Sequence, residues 1–197
     1  QKNSLRHFVF HSVLHPQVKV MTHHWNKLQV EALLFESGLG YTILQPAAYM
    51  QNVLGYWQKM VDDGIYAVPY SVDAQFSMVD LDDLGQAAAR VIREGKAHYQ
   101  AIYECCGVQI LTNNEIAECV SAVIGRQVKA VALDRGEWAN SMRAKGAAEN
   151  TISTLLGMFE YYDQYGFAGN GNVLTWLLGR TPARFEEFLN RSKPSNR

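Results

Sequence analysis

The sequence predicts an α/β fold in which helices flank a parallel sheet, and three observations carry that expectation. Short β-branched and aromatic runs alternate along the chain with longer stretches of helical periodicity. The first two runs flank a single amphipathic stretch with short joints, the βαβ pattern that normally makes a right-handed crossover between parallel strands. The 197 residues are 48% hydrophobic and 19% charged, enough apolar material for one packed core and a single domain.

Taken in order, Arg6 to Val13 reads as a short strand covered on both faces, because its run Phe8-Val9-Phe10 is continuously apolar. Residues 23–37 follow as a helix with Trp25, Leu28, Ala32 and Phe35 on its packed side and Gly38 as its stop. Tyr41 to Leu44 is a second buried strand, halted by Pro46, and residues 49–63 are helical. Gly64 to Tyr70 is extended. Leu84, Ala87, Ala88, Val91 and Ile92 recur at helical spacing, with Asp80 as N-cap and Asp82 and Asp83 at the positive end of the helix dipole. Residues 101–106 form a strand. Thr112 and Glu115 make a capping box in front of the stripe Ile116, Cys119, Val120, Val123 and Ile124, which Gly125 ends. A strand at 128–133, a mostly helical stretch at 136–165 broken near Gly146, a short apolar helix at 174–178 and an amphipathic turn at 185–189 complete the chain.

Composition removes several function classes. Eighteen Lys and Arg against nineteen Asp and Glu give a net charge of −1 without a basic run, so neither nucleic acid nor a membrane surface is expected as a partner. No apolar stretch approaches the ~20 residues of a membrane-crossing helix, and no secretory leader is visible. Three cysteines, an odd number with two adjacent, suit a reducing cytoplasm. There is no G-x-G-x-x-G, no G-K-[ST] loop, no H-E-x-x-H and no C-x-x-C. Gly38-Leu39-Gly40 lies between a helix and a strand, the wrong order for a phosphate loop.

Among the residues able to carry chemistry, His7, His11 and His15 are spaced by four, and the simpler reading is hydrogen-bonded strand or loop histidines. His23 and His24 are neighbours and cannot share a helix face. Cys105 and Cys106 read as small core residues. Asp80, Asp82 and Asp83 read as a capped helix start, and no metal site is expected. The more informative places are the carboxyl ends of the first two strands, Ser12 to His15 and Gln45 to Tyr49, since ligands of open α/β sheets bind beyond such ends. The helix between them carries His23 and Lys27. Lys27 could hold ribose hydroxyls or phosphate, or it could form a solvated i,i+4 pair with Glu31 worth a few tenths of a kcal/mol. Spacing alone leaves both open.

The stretches Phe10-His11-Ser12-Val13-Leu14-His15-Pro16, His23-His24-Trp25-Asn26-Lys27, Thr42-Ile43-Leu44-Gln45-Pro46 and Met50-Gln51-Asn52 resemble the NmrA-like family, an atypical branch of the short-chain dehydrogenase superfamily. So do Phe76-Ser77-Met78-Val79-Asp80 leading into Asp83, and Asn172-Val173-Leu174, Trp176 to Arg180 and Phe185 to Phe188 near the C-terminus. The resemblance covers nearly the whole chain. It implies the C-terminal part of a Rossmann-like parallel sheet (residues 1–48 and 76–107) with a small substrate subdomain (residues 49–75 and 108–197).

The resemblance also implies site roles. The dehydrogenase Y-x-x-x-K pair becomes His23-x-x-x-Lys27, which gives Lys27 the nicotinamide ribose and leaves His23 as the available proton donor. Ser12, Gln45, Pro46 and Ala47 would border the cofactor, and Tyr49, Asn52 and Trp57 the substrate. The match begins near the fifth strand of such a fold, so the glycine-rich half, about a hundred residues or three βα units, would lie before Gln1. The expected function is an NAD(P)-linked oxidoreductase or dinucleotide sensor, truncated before its pyrophosphate-binding half and holding NAD(P) weakly or not at all by itself. The alternative is a noncatalytic interaction module. Its partner would be a small-molecule substrate or another protein. An exposed edge at Phe8, Val9 and Phe10 would favour a homo-oligomer or association with an N-terminal segment.

Overall fold

The computed structural model describes residues 5–193. In chain order the elements are β1 (His7–His11), α1 (Thr22–Glu36), β2 (Gly40–Pro46), β3 (Ala48–Tyr49), a 3-10 segment over Met50–Tyr56, α2 (Trp57–Asp63), β4 (Ile65–Val68), β5 (Gln75–Val79) and α3 (Leu81–Glu94). A second 3-10 turn leads to β6 (Ala101–Cys105), β7 (Ile110–Thr112), α4 (Asn113–Ile124), β8 (Lys129–Ala132), α5 (Arg135–Ala144), α6 (Glu149–Tyr165), α7 (Asn172–Leu178) and α8 (Phe185–Ser192).

The expected βαβ unit is present. β1 pairs parallel with β2, from His7 opposite Gly40 to His11 opposite Leu44, and β6 pairs parallel with the other side of β2. The resulting order β1-β2-β6 puts β1 at an edge among the described residues. There the expectation of a strand covered on both faces fails: Phe8 is 38% exposed, on a strand that has a neighbour on one side only among the described residues. Two further small sheets stand beyond the ends of the first. β5 takes β3 parallel on one side and β7 antiparallel on the other, and β4 pairs parallel with β8. β5 and β7 were not expected as strands, since each is short and Ser77 interrupts the apolar run of β5.

The rotation of α1 also differs from expectation. Its buried residues are His24, Glu31 and Leu34, while Phe35 is 48% exposed. The helix has no strong apolar stripe to fix its rotation. Polar contacts do so instead: the His24 Nδ1–H donates to the Leu14 carbonyl at 2.9 Å, and Glu31 is hydrogen-bonded to both flanking strand ends.

The caps form as expected. The Asp80 carboxylate accepts from the Asp82 N–H at the start of α3, Thr112 and Glu115 complete the capping box of α4, and Gly125 closes that helix with φ 72°. The break near Gly146 separates α5 from α6. The larger hydrophobic cluster gathers Leu14, Met21, Met60, Ile116, Phe185 and Phe188, and a second one joins Leu44, Val79, Leu84, Val91 and Leu174. The C-terminal segment is clasped to the start of α3 by two ion pairs, Arg180 to buried Asp83 at 2.5 Å and Arg191 to buried Asp80.

One glycine is required by close approach. A Cβ on Gly107 would sit 1.9 Å from the Met78 carbonyl oxygen, a backbone atom that cannot swing aside. Gly107→Ala is therefore expected to destabilise the chain by about 3 kcal/mol, read as a lowered urea midpoint without a change in slope.

Candidate functional site

The crossover helix α1 lies behind the carboxyl ends of β1 and β2, and Glu31 fixes it there. This carboxylate is 2% exposed. The Ser12 hydroxyl, just past β1, donates to it, and the Gln45 Nε2 of β2 donates to both of its oxygens at 2.9 and 3.0 Å. The solvated Lys27–Glu31 pair left open by spacing is thereby excluded, because Glu31 turns inward and is satisfied there. Ser12, expected beside the cofactor, is itself buried with its hydroxyl committed to Glu31.

One turn earlier on α1, Lys27 Nζ donates to the His11 carbonyl oxygen at 3.0 Å and lies 5.1 Å from the centroid of the Phe10 ring. His11 ends β1, and its Nε2 meets the Tyr49 hydroxyl at 2.7 Å. Burial, and secondarily the Lys27 charge, hold the His11 imidazole below the usual histidine range, while burial raises the Tyr49 phenol. At neutral pH both are uncharged. Lys27, His11 and Tyr49 thus form a polar line across the strand ends. His23 shares the helix start with Lys27 but is exposed, and it does not line the cavity next to Tyr49.

That cavity encloses about 350 Å³. Tyr49 and Asn52 line it, as the resemblance implies, and Tyr56, Tyr66, Tyr70 and Tyr162 join Phe76 and Phe159 in the aromatic part of the wall. The rings brace one another: Tyr70 packs 5.3 Å from Phe76 and 5.5 Å from Phe159, and Tyr56 sits edge-on to Tyr66 at 5.3 Å. Burial pushes the Tyr66, Tyr70 and Tyr162 phenols upward, so they remain neutral donors. Trp57, expected on the substrate side, is buried in the larger hydrophobic cluster instead. Pro46 and Ala47 are buried where β2 leads into β3. The four tyrosines come from the 3-10 segment, β4, the loop after it and α6. No spacing in the sequence connects them; a chain rich in tyrosine, ten in all, was the only available sign.

The remaining candidates have structural roles. Cys105 and Cys106 are buried, and burial pushes both thiols up to about 12, far from a reactive thiolate. Asp80 and Asp83 are occupied by caps and ion pairs. No three His, Cys, Asp or Glu side chains converge among the described residues. His7 bonds Thr42 at 2.9 Å, and His15, with φ 53°, lies in the loop after β1.

Comparison with known proteins places this geometry. The model of the NmrA-like family matches residues 2–190. The chain belongs to the NmrA-like family. Among curated relatives, this NmrA-like chain is 27% identical to the NAD(P)H azoreductase of Xenophilus azovorans over 189 residues, 93% of the chain and 64% of that protein. It is 22% identical to quinone oxidoreductase 2 of Escherichia coli, again spanning 64% of its length. The solved structure of an Escherichia coli NADPH-dependent quinone oxidoreductase in complex with NADPH superposes with a TM-score of 0.83 over 95% of this chain and 65% of that one, at 22% identity. NmrA, a negative transcriptional regulator solved in complex with NAD, superposes with a TM-score of 0.72 at 13% identity, covering 95% of this chain and 64% of its own. The NmrA-like chain thus has the Rossmann-like α/β architecture, and it spans about two thirds of the length of these relatives. No described helix is long and apolar enough to cross a membrane.

The buried ring of His24 sets an acid limit on the helix that carries Lys27. Burial, foremost, lowers its pKa from 6.5 to about 4. Between those values the unfolded chain binds a proton that the folded chain excludes. Stability is therefore expected to fall by about 3 kcal/mol as pH drops from 6.5 to 4. Urea unfolding across that range reads the loss, and His24→Asn, which retains a donor toward Leu14, should flatten it.

Proposed function

We propose that this chain is the nicotinamide-and-substrate half of an NAD(P)-linked reductase, with the tyrosine-walled cavity as the seat of a planar aromatic acceptor. The cavity carries the reading. It opens beside the strand ends, where ligands of such sheets sit, and its aromatic walls suit a flat ring better than a sugar or a peptide. The likeness to an NAD(P)H azoreductase and to a quinone oxidoreductase supports the same class.

The residues fit one end of a dinucleotide. Lys27 stands beyond β1 with its ammonium anchored by the His11 carbonyl, so a ribose could share its donors. Gln45, held by Glu31, and Pro46 and Ala47 would border the nicotinamide. A bound NAD(P)H would supply hydride. Nothing in the 197 residues offers the G-x-G-x-x-G turn that cradles pyrophosphate, so the isolated chain would hold the dinucleotide weakly, by its nicotinamide end. Residues 49–75 and 108–197 would form the substrate side of the cleft, and the edge of β1, uncovered among the described residues, would pair with a second copy of the chain.

Saturation-transfer NMR reads weak binding and reports which ligand protons touch the protein. With NADPH or NADH, the strongest transfer is expected at the nicotinamide and its ribose. Lys27→Ala should weaken that contact by about 1.5–3 kcal/mol. Equal transfer to adenine and nicotinamide, or none at all, would favour a noncatalytic module.

A further inference from the structure

The cavity's polar edge pairs Tyr49, which the family resemblance implies only as a lining residue of the substrate side, with His11, to which it gives no role. Tyr49 lines the cavity, and its hydroxyl is 2.7 Å from Nε2 of His11. The two rings meet edge to face, with centroids 6.1 Å apart. His11 is solvent-exposed, whereas Tyr49 is half-buried. A titratable ring that touches water is therefore hydrogen-bonded to a phenol that lines the aromatic cavity. His23, the donor implied by the altered Y-x-x-x-K pair, has no such access.

We infer that Tyr49 is the hydrogen-bond and proton donor to an oxygen or nitrogen atom of the ligand in this cavity, with His11 connecting it to solvent. The inference rests on the reading of the cavity as the acceptor site. Lys27 contributes by holding the His11 backbone at the end of β1, which fixes the ring opposite Tyr49. In the arrangement that serves donation, His11 Nε2–H donates to the Tyr49 oxygen and the Tyr49 O–H is directed to the ligand. When a ligand carbonyl is reduced by hydride from a reduced nicotinamide, the oxygen is left with a negative charge. It takes the Tyr49 proton, and as the phenolate takes the Nε2 proton of His11 the Nδ1 of the same ring accepts one from water, so no imidazolate is formed; exchange with solvent at the exposed ring then restores the Nε2–H tautomer. One hydride and one proton are consumed, and both side chains return to their starting charge. The low imidazole pKa and the raised phenol suit a relay whose resting members are neutral.

The test needs no dinucleotide. Binding of 1,4-naphthoquinone and of naphthalene, which has the same ring frame without oxygens, is measured on the wild-type chain and on Tyr49→Phe. The wild type is expected to bind both, and Tyr49→Phe to weaken naphthoquinone about five- to tenfold while leaving naphthalene unchanged. The ¹⁵N resonances of the His11 ring should shift on naphthoquinone binding in the wild type and stay in place in the variant. Thermal melting checks that Tyr49→Phe is folded; should it unfold, the His11 ring signal in wild-type protein, titrated with naphthoquinone against naphthalene, decides alone. Equal losses for both probes, no loss, or an unresponsive His11 would overturn the donor role while leaving the cavity as a binding site. Failure of the wild type to bind either probe would overturn the cavity reading, and the donor role with it.

Discussion

The buried carboxylate of Glu31 is the constraint on which the site is built. It carries no ion pair among the described residues and is held by neutral donors, a hydroxyl from the end of β1 and an amide from the end of β2. A buried carboxyl group is costly to desolvate and adds little net stability by itself. Its effect is geometric: the helix α1 is locked at one point to the ends of the paired strands β1 and β2. Because a carboxylate only accepts, the amide of Gln45 must direct its nitrogen inward. The same lock turns α1 so that Lys27 reaches the last carbonyl of β1.

The two ends of the cleft are then set by different physics. At the strand ends around Lys27 and Glu31 the controlling contacts are short, polar and few. In the cavity beside Tyr49 they are aromatic and many, with rings from separate segments bracing one another. Tyr49 belongs to both, since its ring walls the cavity and its hydroxyl meets His11. The ion pairs of Asp80 and Asp83 with Arg191 and Arg180 clasp the C-terminal segment to α3. Asp80 caps that helix and Asp83 lies in its first turn, where negative charge is favoured.

Much of the fold was legible because its signals are local. The capping box at Thr112 and Glu115, the N-cap at Asp80, the glycine stop at Gly125 and the parallel βαβ unit follow from spacing within a few residues. The short strands β5 and β7 were not legible, since three to five residues carry little periodic information. The packed face of α1 was misread for a related reason: apolar spacing favoured Ala32 and Phe35, but the helix turns to satisfy His24 and Glu31. Satisfying buried polar groups outweighed covering a modest apolar stripe.

The sequence by itself determined the α/β class, the family likeness and the position of Lys27 at the strand ends, because each is encoded in contiguous residues. Only the tertiary structure decided that Glu31 is a buried anchor, that Ser12 is committed to it, that Trp57 belongs to the core, and that His11 backs Tyr49. The polar contacts among these join residues up to 38 positions apart, and the cluster that takes in Trp57 reaches as far as Leu189. A side chain's environment is set by what the rest of the chain folds against it, and no spacing rule reports that.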